Sequence, residues 1–224
     1  AYIASTLPAE LWIKSKMPEL KTFLIPNGIA PEKFYPRSVD YNSLNIPNEL
    51  RRPVYLFVGA LTYQKQPVKT LEAFIENKIG SLIIIGDGEL KLEIEEMVLA
   101  GKLSASEFLY IPNVEYERLP DYFNFADYFV MPSINETFGI VYIMALACNK
   151  PVIAADSPQQ RWMLENAAMY FNPENPNSLK NTMLEITNRN FGDEPLNMSK
   201  RFYWSNIVES YKKLILEIIG SSND

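Results

Sequence analysis

The stretch "YFVMPSINETFGIVYIMALACNKPVIAAD", Tyr128 to Asp156, reads as one strand–helix–strand unit, and the fold follows from it. Its outer segments, "YFVMPS" and "PVIAAD", are continuously apolar rather than alternating. That is the pattern of strands buried on both faces of a parallel sheet. The helix between them is almost wholly Ile, Val, Met, Ala and Leu, so it too belongs inside. A lone carboxylate, Glu136, and the pair Phe138-Gly139 introduce it, and Pro151 separates it from the second strand.

Working outward, the same unit recurs. "VYLFVG" (Val54 to Gly59), "SLIIIGDG" (Ser81 to Gly88), "EFLYIP" (Glu107 to Pro112) and "AAMYFN" (Ala167 to Asn172) read as further strands. Helical segments such as "VKTLEAFIENK" and "ELKLEIEEMVLAG" separate them. Repeated βα units predict an α/β fold with a doubly wound, Rossmann-like parallel sheet. Such sheets bind ligands outside the carboxyl ends of their strands. The loops "GALTYQK", "GDGE", "PNVE" and "PSINETFG" are therefore expected to face one crevice.

The two ends behave differently. "AYIAST" reads as a strand set apart from this sheet by the turn-rich "FLIPNGIAPEKFYPRS" and a polar stretch reaching Arg52. Pro26, Asn27-Gly28, Pro31 and Pro36 mark turns there. "WSNIVESYKKLILEII" reads as an amphipathic helix capped by Ser205, with Ile207, Tyr211, Leu214, Ile215 and Ile218 along one face. A strand and a linker ahead of a complete α/β domain predict a piece of a two-domain chain.

Bulk properties narrow the partners. Among 224 residues, 21 Lys and Arg face 27 Asp and Glu, for a formal charge of -6. A nucleic-acid binder normally shows a basic face, so nucleic acid is not expected as a partner. A small anionic ligand needs only a few local donors and stays compatible. With no histidine and one cysteine, Cys148 in the apolar helix, neither a zinc site nor an internal disulfide is expected. No apolar run reaches the length of a membrane span and no signal-peptide layout opens the chain, so it reads as soluble and cytoplasmic.

Three regions carry a family resemblance: "LIPNGIAPEKFYP", "FVGALTYQKQPVKTLEAF" and "MPSINETFGIVYIMALACNKPVIAAD". In that order and spacing they resemble the landmarks of the GT-B glycosyltransferases of family 4. "IIGDGEL", "ADYFVMPS", "AAMYFNPENP" and "RFYWSNIVESY" fit the same pattern. The resemblance implies retaining, metal-independent transfer of a hexose-type sugar from a nucleotide sugar to a glycan, lipid or polysaccharide acceptor. No cofactor is implied. Residues 1–36 would be the end of an N-terminal acceptor domain and the interdomain linker. Residues 37–204 would be the nucleotide-sugar-binding domain and 205–224 the C-terminal helix. The rest of the acceptor domain would be missing from this chain, which would make the fragment inactive by itself, and peripheral contact with the cytoplasmic membrane face would run through that absent domain.

The same resemblance assigns roles. Lys65 would supply a point charge to the diphosphate and Glu136 would accept hydrogen bonds from sugar hydroxyls. Gly59, Phe138, Gly139, Ile140 and Met144 would belong to the nucleotide-sugar site, with Gly139 at the diphosphate. The absent side chain of Gly139 and the free amides of the helix behind it favour close approach of anionic oxygen. Val114 would pack against the base, while Gly86 and Gly88 read as turn formers. Each has a structural alternative: Gly139 as a turn, Lys65 as a surface lysine, Glu136 as an acid placed for the helix dipole.

The sequence also departs from the family pattern. Ala60 replaces an arginine that bonds the diphosphate, and Lys65-Gln66 stands where Lys-Gly is usual. Met144 replaces the second glutamate, which binds ribose, and Trp162 replaces a further glutamate. Each lost charge-assisted bond is worth roughly 1.5–3 kcal/mol, which predicts weak donor binding. These changes raise a rival reading, a degenerate, non-catalytic GT-B domain with an apolar crevice that acts as a structural or regulatory partner.

Overall fold

The computed structural model describes residues 1–40, 44, 46 and 50–220. The chain opens with a small unit, β1 (Tyr2–Ala4), α1 (Leu7–Lys16) and β2 (Thr22–Leu24), whose two strands pair in parallel. Only the first strand is legible in the sequence. Helix α1 starts because the Thr6 side chain accepts from the Ala9 amide at 3.3 Å and Pro8 occupies its first turn. Its apolar pattern is weak, since Ile13 is buried while Leu11 and Trp12 are exposed. Part of the polar stretch read as a linker before Arg52 lies outside the described residues.

All six strands predicted for the main sheet form: β3 (Val54–Val58), β4 (Ser81–Ile85), β5 (Phe108–Ile111), β6 (Tyr128–Met131), β7 (Val152–Ala155) and β8 (Ala168–Phe171). They run parallel in the order β5-β4-β3-β6-β7-β8. Every residue of β3, β4 and β7 is buried, which is why these runs are apolar without alternation. Between the strands lie α2 (Pro67–Asn77), α3 (Lys91–Ala100), α4 (Leu119–Phe125), α5 (Ile140–Ala147) and α6 (Pro158–Leu164), and after the last come α7 (Ser178–Glu185) and α8 (Glu194–Ser199). α2 packs with α3 and α7, and α5 packs with α4 and α8, as expected for a doubly wound sheet covered on both faces. Strand order reverses between β3 and β6, so their loops leave the sheet in opposite directions and open a crevice.

The last helix, α9 (Trp204–Gly220), corrects two expectations. It begins at Trp204, with the Tyr203 carbonyl accepting from Asn206 and Ile207, so Ser205 lies inside the first turn and does not cap it. Of the predicted apolar stripe only Ile207 and Leu214 are buried, against Phe23 of β2 and Ile25 directly after it. Tyr211, Ile215 and Ile218 stay exposed because this small surface is all that α9 covers. Among the described residues, no helix is long and apolar enough to cross a membrane.

Candidate functional site

The loops that follow β3 and β6 are zipped together at the point where strand order reverses. The Gln64 carbonyl accepts from the Ile134 amide at 3.0 Å, and Gln64 Nε2 donates to the Asn135 carbonyl at 2.8 Å. Ser133 Oγ, fully buried, lies 3.2 Å from the Gln64 carbonyl and 3.1 Å from Glu136 Oε2. Lys65 Nζ closes the zipper in an ion pair with Glu136 Oε2, and the Thr137 amide donates to Oε1 at 3.1 Å. The Glu136 side chain is 5% exposed and that of Lys65 22%. The structure thus joins the two residues singled out for chemistry. Nothing in the sequence predicted that contact, because the partners lie in different βα units.

Behind this pair stands the N-terminus of α5. Gly139 adopts φ +83°, and a Cβ there would sit 2.6 Å from the Tyr142 ring and 3.0 Å from Glu136 Cγ. Glycine is required both by the backbone and by the place of Glu136. The Tyr142 amide bonds back to the Gly139 carbonyl at 3.0 Å. The Ile140 and Val141 amides take no acceptor among the described residues, leaving positive dipole ends at the loop. Tyr142 OH donates to the Met131 carbonyl at 2.8 Å and ties α5 to the end of β6. Burial pushes that phenol well above its ordinary range, so it stays a donor.

Other predicted positions fall at varied distances from this centre. Ile140 is exposed, 41% accessible. The Phe138 ring is buried edge-to-face on Phe202 at 6.1 Å, so only its backbone can face a ligand. Gly59 donates to the Ile85 carbonyl at 3.0 Å, and a Cβ there would meet nothing closer than 3.7 Å. Gly86 presses so tightly on that segment that a Cβ would lie 1.9 Å from the Gly59 carbonyl oxygen, which agrees with its reading as a turn former. Val114 is half-buried in the loop after β5, two strands away from β3.

Met144 is buried in the main core, and its side chain does not open on the crevice as a ligand contact would. Trp162 stacks edge-on against Phe202 and under Arg201, while Ala60 is exposed. The three substitutions therefore do not build one apolar crevice, and the degenerate-domain reading loses its basis.

A cleft of about 470 Å³ adjoins the zipper, lined by Ser133, Glu136, Asp156 and Gln159 and closed on one side by Pro8 of α1. Sequence reasoning missed Ser133, Asp156 and Gln159. The available signal was their position at the carboxyl ends of β6 and β7. Asp156 is bound by Arg161 through paired bonds of 2.7 and 2.8 Å, which hold its carboxyl below the usual aspartate range. Arg161 in turn lies 4.0 Å over the Tyr170 ring.

With this geometry in place, known proteins supply the context. Residues 43–203 match the family model of the glycosyl transferases group 1. An uncharacterised glycosyltransferase of Methanocaldococcus jannaschii is 29% identical over 217 residues, covering 92% of this chain and 58% of the relative. The O-antigen chain mannosyltransferase of Salmonella typhimurium is 31% identical over 159 residues, covering 66% and 44%. In structure, sucrose-phosphate synthase from Thermosynechococcus elongatus superposes with a TM-score of 0.85 at 24% identity, over 98% of this chain and 58% of that one. Anabaena HepE, solved with UDP and glucose, gives a TM-score of 0.75 at 20% identity, over 98% and 62%. These likenesses show a shared GT-B-type Rossmann-like fold, and the chain spans less than two thirds of each of these proteins. By its match over most of its length, the chain belongs to the glycosyl transferases group 1.

Proposed function

We propose that this chain is the donor-binding domain of a retaining, metal-independent glycosyltransferase of family 4. It would act in the cytoplasm and move a hexose-type sugar from a nucleotide sugar to a glycan, lipid or polysaccharide acceptor. The observation that carries this reading is the Lys65–Glu136 pair set against the free amides of α5, at the point where strand order reverses. An ammonium has three N–H donors. With one directed to Glu136, two remain for diphosphate oxygens. Lys65 and the α5 N-terminus then stabilise the charge that develops as the sugar–phosphate bond breaks. Glu136 fixes the sugar through its hydroxyls, and the acceptor hydroxyl attacks on the leaving-group face, its proton passing to the departing diphosphate oxygen. Val114 offers the base an apolar wall. The acceptor site, and any contact with the cytoplasmic membrane face, would belong to a separate N-terminal domain.

The relatives support the substrate class: one is named a mannosyltransferase, and a structural neighbour was solved with UDP and glucose. Ala60 and Met144 leave this site without the arginine and acid that the family resemblance implies for diphosphate and ribose, so affinity is expected to be on the order of a hundredfold weaker than with both present. Calorimetric titration with a panel of nucleotide sugars and free nucleotides tests the proposal. Binding in the micromolar to millimolar range is expected. Absence of heat for every nucleotide at millimolar concentration would sink it.

A further inference from the structure

The wall of the cleft beside Glu136 has a chemistry of its own. Ser133, Asn135, Glu136, Asp156, Ser157 and Gln159 line it, and no lysine or arginine does. Diphosphate oxygens need cations or unpaired N–H donors, whereas this wall offers mainly acceptors. A neutral group that brings its own O–H donors suits it, and about 470 Å³ is room for a small molecule. Two of the acceptors are already engaged. Asp156 is bound through both carboxylate oxygens by Arg161, and Glu136 Oε2 takes Lys65 and lies 3.1 Å from Ser133 Oγ. Glu136 Oε1 takes only the Thr137 amide, so it keeps an acceptor site.

Gln159 supplies a second open acceptor. It sits in the first turn of α6, where Ser157 caps the helix by accepting from the Gln160 amide. Its Nε2 donates to the Phe138 carbonyl at 3.3 Å. Only the NH2 of the amide can make that bond, so the carbonyl fixes which way the group faces. Phe138 is itself held, its ring buried against Phe202. Gln159 Oε1 has no hydrogen-bond partner among the described residues. Nor is it sealed from solvent: the buried side-chain atoms without a partner among those residues are Gln66 Oε1 and Tyr110 OH. The side chain is half-buried and on the cleft wall. An acceptor that is held in place, accessible and unused by the protein is preorganised for a ligand's donor.

We infer that Gln159 is a specificity-determining residue whose Oε1 accepts a hydrogen bond from a hydroxyl of the hexose carried by the nucleotide sugar. Glu136 Oε1 takes one ring hydroxyl and Gln159 Oε1 another, so the two acceptors read the relative placement of two hydroxyls. An epimer that turns one hydroxyl away leaves an acceptor unpaired, and that loss discriminates between sugars. The diphosphate stays on Lys65 and the α5 amides, neither of which belongs to this wall. The inference rests on the donor-domain reading above.

The test uses Gln159→Met, which keeps the length of the side chain without its hydrogen-bonding groups, and Gln159→Asn, which keeps the amide on a shorter stem. Calorimetry is run on the whole chain with UDP, UDP-glucose, UDP-galactose, GDP, GDP-glucose and GDP-mannose, and thermal midpoints are recorded. Wild type is expected to bind one nucleotide sugar more tightly than its free nucleotide and than its epimer. Both variants are expected to bind that nucleotide sugar roughly three- to tenfold more weakly, and the ratio to its epimer should shrink by a similar factor. Free-nucleotide affinity should stay within about twofold of wild type and the thermal midpoint within about 3 °C. A merely structural glutamine would instead weaken nucleotide and nucleotide sugar alike. Such equal weakening, or an epimer ratio unchanged in both variants, overturns the inference and leaves the donor-domain reading intact. So does a wild type that binds every nucleotide sugar no tighter than its nucleotide. A wild type that binds neither nucleotides nor nucleotide sugars overturns both.

Discussion

Lys65→Met removes the cation from a pair whose carboxylate is almost sealed from water. Deleting one partner of a fully buried pair typically costs ~3–5 kcal/mol, because the remaining charge is left uncompensated. Here the Lys65 side chain is 22% exposed, so water can partly fill the vacancy. Glu136 also keeps the Ser133 hydroxyl and the Thr137 amide. The loss should therefore fall below that range, about 2–3 kcal/mol, or a thermal midpoint lower by roughly 4–10 °C. Glu136→Gln leaves Lys65 free to turn to solvent and should cost only about 1 kcal/mol. In the double variant neither charge is left behind, so its loss should stay near 1–1.5 kcal/mol and the coupling near 2 kcal/mol. Urea unfolding of the four proteins gives these values directly, with unchanged slopes confirming that the same surface is exposed. A coupling below about 0.5 kcal/mol would refute the buried pair, since that is the scale of exposed pairs.

Three further outcomes are expected. Gly86→Ala drives a Cβ into the Gly59 carbonyl and should cost at least ~2–3 kcal/mol in urea unfolding and weaken nucleotide binding, whereas Gly59→Ala meets only ordinary contacts and should cost under about 1 kcal/mol. Met144→Ala should lose ~2–5 kcal/mol as a core truncation while Met144→Leu loses less than about 1.5 kcal/mol, both read by urea unfolding; equal tolerance of the two would contradict its burial. Arg161→Met should cost only ~0.2–1 kcal/mol at neutral pH, because the Asp156 pair is half exposed. Since Arg161 holds the Asp156 carboxyl below its ordinary range, the stability this adds is complete above that range and is lost as pH falls through the lower folded value. The gap between wild type and variant should therefore close below about pH 4 in thermal melts, and a gap that widened there would reverse the sign of the argument.

The main sheet was legible because its central strands carry their burial in their own composition: "VYLFV" and "VIAA" are apolar throughout and "SLIII" is apolar after Ser81, and that pattern needs no partner to be read. Helix α1 was not, because its cap and first-turn proline are local while its exposed Leu11 and Trp12 hide any stripe. The site divides the same way. Gly139 and Glu136 could be picked from one contiguous stretch, since the start of an apolar helix carries its own signal. The ion pair of Glu136 with Lys65 and the zipper through Gln64 and Ser133 depend on β3 and β6 being neighbours. Pairing of strands so distant in sequence is a property of topology, and a run of residues does not encode it locally.

The left-handed residues separate ordinary helix punctuation from the site. Six non-glycine residues have positive φ among those described: Gln66, Lys78, Lys102, Asn135, Asn149 and Glu165. Lys78, Lys102, Asn149 and Glu165 directly follow α2, α3, α5 and α6 or sit within two residues of their ends, where a reversed turn commonly closes a helix. Gln66 and Asn135 instead precede α2 and α5, and helix termination cannot account for them. Both lie in the loops that the Gln64 bonds zip together, flanking Lys65 and Glu136 on either side of the switch point. Their unfavourable backbone is held by that zipper. It fixes the direction of Lys65 toward Glu136 before any ligand arrives. A loop whose ion pair is already held in place does not have to be ordered again when that pair is used.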